Sequence, residues 1–246
     1  MARKVGFVVA AVASLSLLGC PPAEKKTPDV AASAPVDVKA LAEKAKNIFG
    51  PLPADPPASA ENPLNDFKVE LGRMLYFEKR LSKNHDISCN TCHDLATFGV
   101  DHKPTSPGHK DQPGTRNSPT VFNSALQFTQ FWDGRAKDVE EQAIGPILNP
   151  IEMAMPSEEA VLKVLGSIPE YVEMFGQAFP GEDESLTYKN IGNAIGAYER
   201  TLQTPGPFDE FLNGKHDALT ADKSAAWGCS WTRAARSVTP APWWAG

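Results

Sequence analysis

Two cysteines and a histidine stand together in Cys89-Asn90-Thr91-Cys92-His93. Thiols at this spacing, with imidazole directly after the second, suit covalent attachment of a c-type haem. Each thiol can add to one of the two vinyl groups on a porphyrin edge. Two intervening residues, wound as a single helical turn, set both sulfurs along that edge. The next residue then lies under the iron, for which imidazole is a good axial ligand. Three other readings compete. A tetrahedral zinc site wants about four ligands, commonly from two such pairs, and the chain has no second Cys-x-x-Cys. A redox dithiol has no need of His93. A structural disulfide at this spacing is uncommon. Haem is the reading these residues favour.

The elements that must position this turn are helical. Leu64, Phe67, Leu71, Met74, Leu75 and Phe77 recur at helical spacing and predict one apolar face over 64–77, packed against the haem-bearing segment. Helical patterns also cover Val38–Phe49, Asp138–Leu148, Ile168–Phe179, Thr187–Leu202 and Phe208–Leu212, with Ser157 and Thr220 as caps of two further helices. Gly192 and Gly196, four apart, allow close helix packing. Val121–Trp132 is apolar and aromatic. Phe98–Pro119, rich in Gly, Pro, His and Asp, reads as a long loop of the kind that is functional or disordered. No strand alternation persists, so the fold class is all-α. A net charge of -6 over 246 residues gives no nucleic-acid footprint.

The start of the chain reads as an export signal. Arg3 and Lys4 precede an apolar run, Val5–Leu18, too short for a comfortable membrane span. The run ends in Leu17-Leu18-Gly19-Cys20, which resembles a bacterial lipoprotein signal with Cys20 as the lipid-bearing thiol. An ordinary secretory signal and an uncleaved anchor are the other readings. All of them export the chain, in keeping with haem attachment outside the cytoplasm, and point to the periplasm. Pro21–Pro35 reads as a flexible tether.

Five segments then occur in order: Leu71-Gly72-Arg73-Met74-Leu75-Tyr76-Phe77, Ser88–His93, Pro104–His109, Arg116-Asn117-Ser118-Pro119-Thr120 and Gln127–Arg135. Together they resemble the bacterial di-haem cytochrome c peroxidases, from about Asp66 to about Lys223. The resemblance implies cytochrome c-like haem domains that reduce hydrogen peroxide to water. The electrons would come from a small donor such as cytochrome c or a blue-copper protein. It implies His93 as the proximal iron ligand and His109, on its Gly/Pro loop, as a distal ligand that moves away to admit peroxide. Trp132 would aid electron transfer between haems. Glu152 would shuttle a proton in the peroxide pocket, with Gln142 beside it. Asn117 would be one ligand of a calcium site whose other donors lie beyond this chain. Without the resemblance His109 would be a solvated loop histidine, Trp132 a core aromatic and Glu152 a solvated glutamate. Arg116 and Arg135 suit haem propionates or plain surface positions. Met153 and Met155 match no family ligand and read as packing residues. His85, His102 and His216 match no motif and are expected at the surface. A membrane lipid anchor and a homodimer are further associations open to this family.

After Lys223 the resemblance stops. Cys229 has no companion cysteine or histidine, and four of the five tryptophans fall in the last residues. Codons built from each third base and the next two permit Asp-Lys-Gly-Cys-x-x-Cys-His across 231–239. Trp227-Gly228 and Trp244-Ala245 each force Gly in that frame, and Trp243-Trp244 forces Val. The expectation is an out-of-frame tail, against a genuine divergent one. The expected organisation is a signal peptide over 1–19 and a lipid-anchor tether with an N-terminal segment over 20–57. A complete peroxidatic haem domain would cover 58–202, the opening of an electron-transfer haem domain 203–224, and the tail 225–246. Such a chain would hold one haem where the intact family holds two, and turn over peroxide poorly with a protein donor. Two other functions stay open: a mono-haem electron carrier or sensor, and a di-haem enzyme oxidising a protein substrate.

Overall fold

The computed structural model describes residues 37–57 and 59–234. The signal, Cys20, the tether and the end of the tail lie outside the described residues. Among the described residues the chain forms helices α1 (Val38–Lys46), α2 (Asp66–Tyr76), α3 (Cys89–Cys92), α4 (Val139–Leu148), α5 (Glu158–Gly166), α6 (Pro169–Ala178), α7 (Tyr188–Arg200), α8 (Pro207–Leu212) and α9 (Ala221–Ala234). Extended pairing among them is limited to isolated bridges, Pro107 with Pro113 and Gln130 with Ala136.

The helix starts follow from side chains that satisfy free backbone N–H groups. Asn65 accepts from Lys68 N at 2.8 Å, Asp138 from Glu141 N at 2.9 Å, Ser157 from Ala160 N at 3.2 Å and Thr187 from Asn190 N at 3.1 Å. Each such cap contributes about 1 kcal/mol.

Helices α2 and α7 cross at the heart of the fold. At Gly72 a Cβ would lie 1.8 Å from the Ala194 carbonyl oxygen, so only glycine lets the backbones meet. Tyr76 stacks edge-on against Tyr198 one turn along, with centroids 5.5 Å apart. The buried face of α2 is Lys68, Leu71, Gly72, Leu75 and Tyr76. This corrects the apolar face expected from periodicity: Phe67, Met74 and Phe77 are 57%, 41% and 44% exposed. Lys68 turns inward because its ammonium finds Asn62 Oδ1 at 2.9 Å and the Pro63 carbonyl at 2.7 Å. Leu71, Leu75, Ile147, Phe175, Ile191 and Ile195 form the centre of the main core.

The two glycines of α7 do allow close packing, against α4. A Cβ at Gly192 would meet the Glu140 carbonyl, and one at Gly196 the Glu140 side chain. The buried Glu140 carboxylate accepts from Arg200 Nε and Nη2, both at 2.8 Å, and from Asn62 Nδ2 at 2.9 Å. Removing one partner would leave a buried charge uncompensated.

A second cluster joins α1, α8 and α9 through Ala42, Ala45, Phe211 and Leu212. Trp227 stacks on Phe208 there, centroids 4.6 Å apart. Helix α9 therefore runs across the point where the sequence resemblance stops. His216, expected at the surface, is half-buried with its ring edge-on to Phe211 at 6.1 Å. His85 and His102 are exposed, as expected.

Candidate functional site

Helix α3 is a single turn, opened by Ser88. Ser88 N donates to Thr91 Oγ1 at 2.9 Å, Thr91 N to Ser88 O at 3.0 Å, and His93 N to Cys89 O at 2.9 Å. The turn brings both thiols to one cavity, and neither is in a disulfide. Burial pushes the Cys89 thiol up to about 12 and raises Cys92 as well. Thiols held neutral lack the thiolate on which a reactive dithiol depends. Among the described residues no group of three or more His, Cys, Asp or Glu could hold a metal ion.

His93 is held from two sides. Its Nδ1 lies 3.0 Å from the Pro119 carbonyl. A carbonyl only accepts, so Nδ1 carries the proton and Nε2 is bare, the form that binds a metal. Burial also keeps the imidazole below its ordinary value, favouring the neutral ring. The His93 carbonyl accepts from the Tyr76 hydroxyl at 2.6 Å, tying the ligand backbone to the end of α2.

The cavity has a volume of about 310 Å³. Cys89, Cys92 and His93 form one part of its wall, and the turn Ile151, Glu152 and Met153 another. Two free thiols and a neutral imidazole on one largely apolar cavity fit a covalently attached haem.

The structure gathers most of the expected residues here. Trp132 lines the cavity, is 59% exposed, and donates through Nε1 to the Asn117 carbonyl at 3.0 Å. Gln142, on α4, lines it half-buried. Glu152 lines it too, its carboxyl raised by burial against the pull of Arg135. Arg116 and Arg135 are on the wall, both paired with Asp133, at 3.5 and 2.8 Å. Met153 also faces the cavity, whereas Met155 packs in the core.

Asn117 lines the cavity with these residues, and His109 does not. Asn117 is exposed on the wall, with Nδ2 3.5 Å from the Ser118 carbonyl. His109 is buried but is not part of the cavity lining. Its backbone N–H is shared between the carbonyls of Ile151 at 2.9 Å and Glu152 at 2.8 Å. Gly108 makes that approach possible, since a Cβ there would lie 2.0 Å from Ile151 O. Lys110 and Asp111 follow with φ of 56° and 58°, a costly pair of left-handed residues.

Two residues that sequence reading passed over complete the site. Tyr76 falls within the Leu71–Phe77 segment, but nothing in that segment points to a tie with His93. Glu199 does carry a signal: a charge that continues the inward 191, 195, 199 spacing of α7. It is buried and lines the cavity.

Comparison with known proteins places this geometry. A family profile described as "Di-haem cytochrome c peroxidase" matches residues 66–217. A "Cytochrome c551 peroxidase" of Pseudomonas aeruginosa is 48% identical over 185 residues, covering 75% of this chain and 53% of that protein. A protein of the same name from Nitrosomonas europaea is 51% identical over 168 residues, covering 68% and 49%. The crystal structure of a "MauG-like protein associated with microbial copper homeostasis" superposes with a TM-score of 0.61 at 28% identity, covering 67% of this chain and 49% of that one. The chain thus spans about half the length of the relatives it matches.

Proposed function

The chain belongs to the di-haem cytochrome c peroxidase family, with its all-α, cytochrome c-like fold, and from that premise we propose that it reduces hydrogen peroxide to water at a covalently attached c-type haem. The observation that carries the reading is one cavity shared by the free thiols of Cys89 and Cys92, the Nδ1-anchored His93 and the half-buried Glu152.

The haem, when bound, supplies the iron at which peroxide is reduced. Cys89 and Cys92 would tether it through thioethers, and His93 would ligate the iron. The Pro119 carbonyl keeps the proton on Nδ1, fixing the tautomer and making the ring a stronger ligand. Glu152 would carry the proton that peroxide reduction shifts between the two oxygens. A carboxyl raised by burial holds a proton nearer neutral pH than a solvated one, which suits that task. Gln142 orients the peroxide, and Trp132, with its indole pinned to Asn117 O, lies on the electron route. His109 would be the further iron ligand, carried on the Gly108–Asp111 turn, in which Lys110 and Asp111 are left-handed.

Each turnover takes two electrons and two protons, and we assign the electrons to a small cytochrome c or blue-copper donor in the periplasm. Among the described residues no helix is long and apolar enough to cross a membrane. A lipid anchor at Cys20, a homodimer, calcium at Asn117 and a single haem in this chain complete the proposal. We also propose the division into a peroxidatic domain over 58–202 and the opening of a second haem domain over 203–224.

The test is export of the chain with the haem-attachment machinery. Intact mass should rise by one haem, and reduced cytochrome c should be oxidised on adding peroxide. A product with no covalent haem refutes the reading. Haem without peroxide-dependent oxidation would favour an electron carrier.

A further inference from the structure

Glu199 is 5% exposed and lies on the cavity wall, yet no part of the mechanism above uses it. Burial and neighbouring charges act on its carboxyl, and no hydrogen bond does. The cation beside it is committed elsewhere. Arg200 gives Nε and Nη2 to Glu140 and Nη1 to the Pro57 carbonyl at 3.3 Å.

The ionisable groups facing Glu199 can be named element by element. From α2 comes Tyr76, whose hydroxyl is bound to His93 O and which burial keeps neutral. From α3 comes Cys89, a neutral thioether once haem is attached. From α4 comes the Glu140 carboxylate, which opposes ionisation of Glu199. On α7 itself, Arg200 favours ionisation, and burial raises the Tyr198 phenol so that it too stays neutral. Burial dominates and pushes the Glu199 carboxyl up to about 8. A carboxylate unpaired in a low-dielectric wall is costly, and a negative charge arriving beside it raises that cost.

We propose that Glu199 is the proton-exchanging residue of the haem site: one-electron reduction of the haem draws a proton from solvent onto its carboxylate, and oxidation returns it. The electron comes from the donor or from a chemical reductant, the proton from water, and no other bond forms or breaks. This inference rests on the haem reading above.

The experiment is a spectroelectrochemical titration of the haem-loaded chain between about pH 6 and 9. Wild-type midpoint potential should stay level while the Glu199 carboxyl is protonated and fall as pH rises beyond about 8, by up to about 59 mV per unit, the one-electron equivalent of a tenfold change. Glu199→Gln should remove the slope, Glu199→Asp should restore it, and Glu152→Gln should leave it in place. A slope unchanged in haem-loaded Glu199→Gln overturns the proposal. A wild type that attaches no haem overturns the haem reading and this proposal with it. Should Glu199→Gln fail to hold haem, redox-difference infrared spectra of the wild type decide. A protonated carboxyl band gained on reduction supports the proposal, and its absence overturns it.

Discussion

The Tyr76 hydroxyl donates to the His93 carbonyl at 2.6 Å, so the last residue of α2 fixes the backbone of the residue that follows α3. Tyr76 is fully buried, and its ring is also held by Tyr198 and Phe77. Replacing it with Phe keeps the packing and removes one hydrogen bond. Tyr76→Phe should cost about 1 kcal/mol and retain covalent haem. Urea denaturation measures the first, and haem absorbance the second. A loss above about 3 kcal/mol would mean that the hydroxyl does more than hold one carbonyl.

Gly72→Ala tests the helix crossing. The new methyl would overlap backbone atoms of Ala194, which cannot swing away as a side chain could. The expected loss is about 3 kcal/mol or more, read from a lowered denaturation midpoint and a smaller haem-loaded fraction. Ordinary stability in this variant would rule out the close crossing.

Glu152→Gln keeps the shape of the cavity wall and removes the proton carrier. Peroxide turnover should drop by roughly 10²–10⁴-fold with the haem still attached, the range typical of general acid–base groups. Stopped-flow mixing with peroxide gives the rate. Turnover within a few-fold of wild type would remove Glu152 from the proton path.

Glu199 also has a signature in stability. Its folded value, about 8, lies above the ordinary 4.5, so the folded chain binds this proton more tightly than the unfolded one. The resulting stabilisation is complete below about pH 4.5 and is lost as pH rises through about 8. Wild type should therefore lose stability relative to Glu199→Gln across that window, at most by a few kcal/mol. Parallel stability curves over the same range would contradict it.

The helices were readable from sequence because their signals are local: apolar spacing, caps at Ser157 and Thr220, and small residues where helices meet. The haem turn was readable because thioether attachment dictates its own spacing. The inward face of α2 was not. Hydrophobicity ranks Phe67 and Met74 above Lys68 and Gly72, but Lys68 has its partners at Asn62 and Pro63, and Gly72 is needed by Ala194. Glu199 was hidden for a similar reason. Glu199-Arg200 reads as a self-neutralising pair, whereas Arg200 reaches across to Glu140, sixty positions away. His109 could be placed on its loop from sequence. The direction of its burial depends on Ile151 and Glu152, which no local pattern names.

The crossing at Gly72 has a consequence for dimensions. From it, α2 runs on to Tyr76, which carries the His93 backbone, and α7 runs on to Glu199 on the cavity wall. Both helices start from one contact that leaves no slack, so each end inherits its position from that contact. A single missing side chain thus acts as a caliper, setting the gauge between ligand and acid more than four residues away from either.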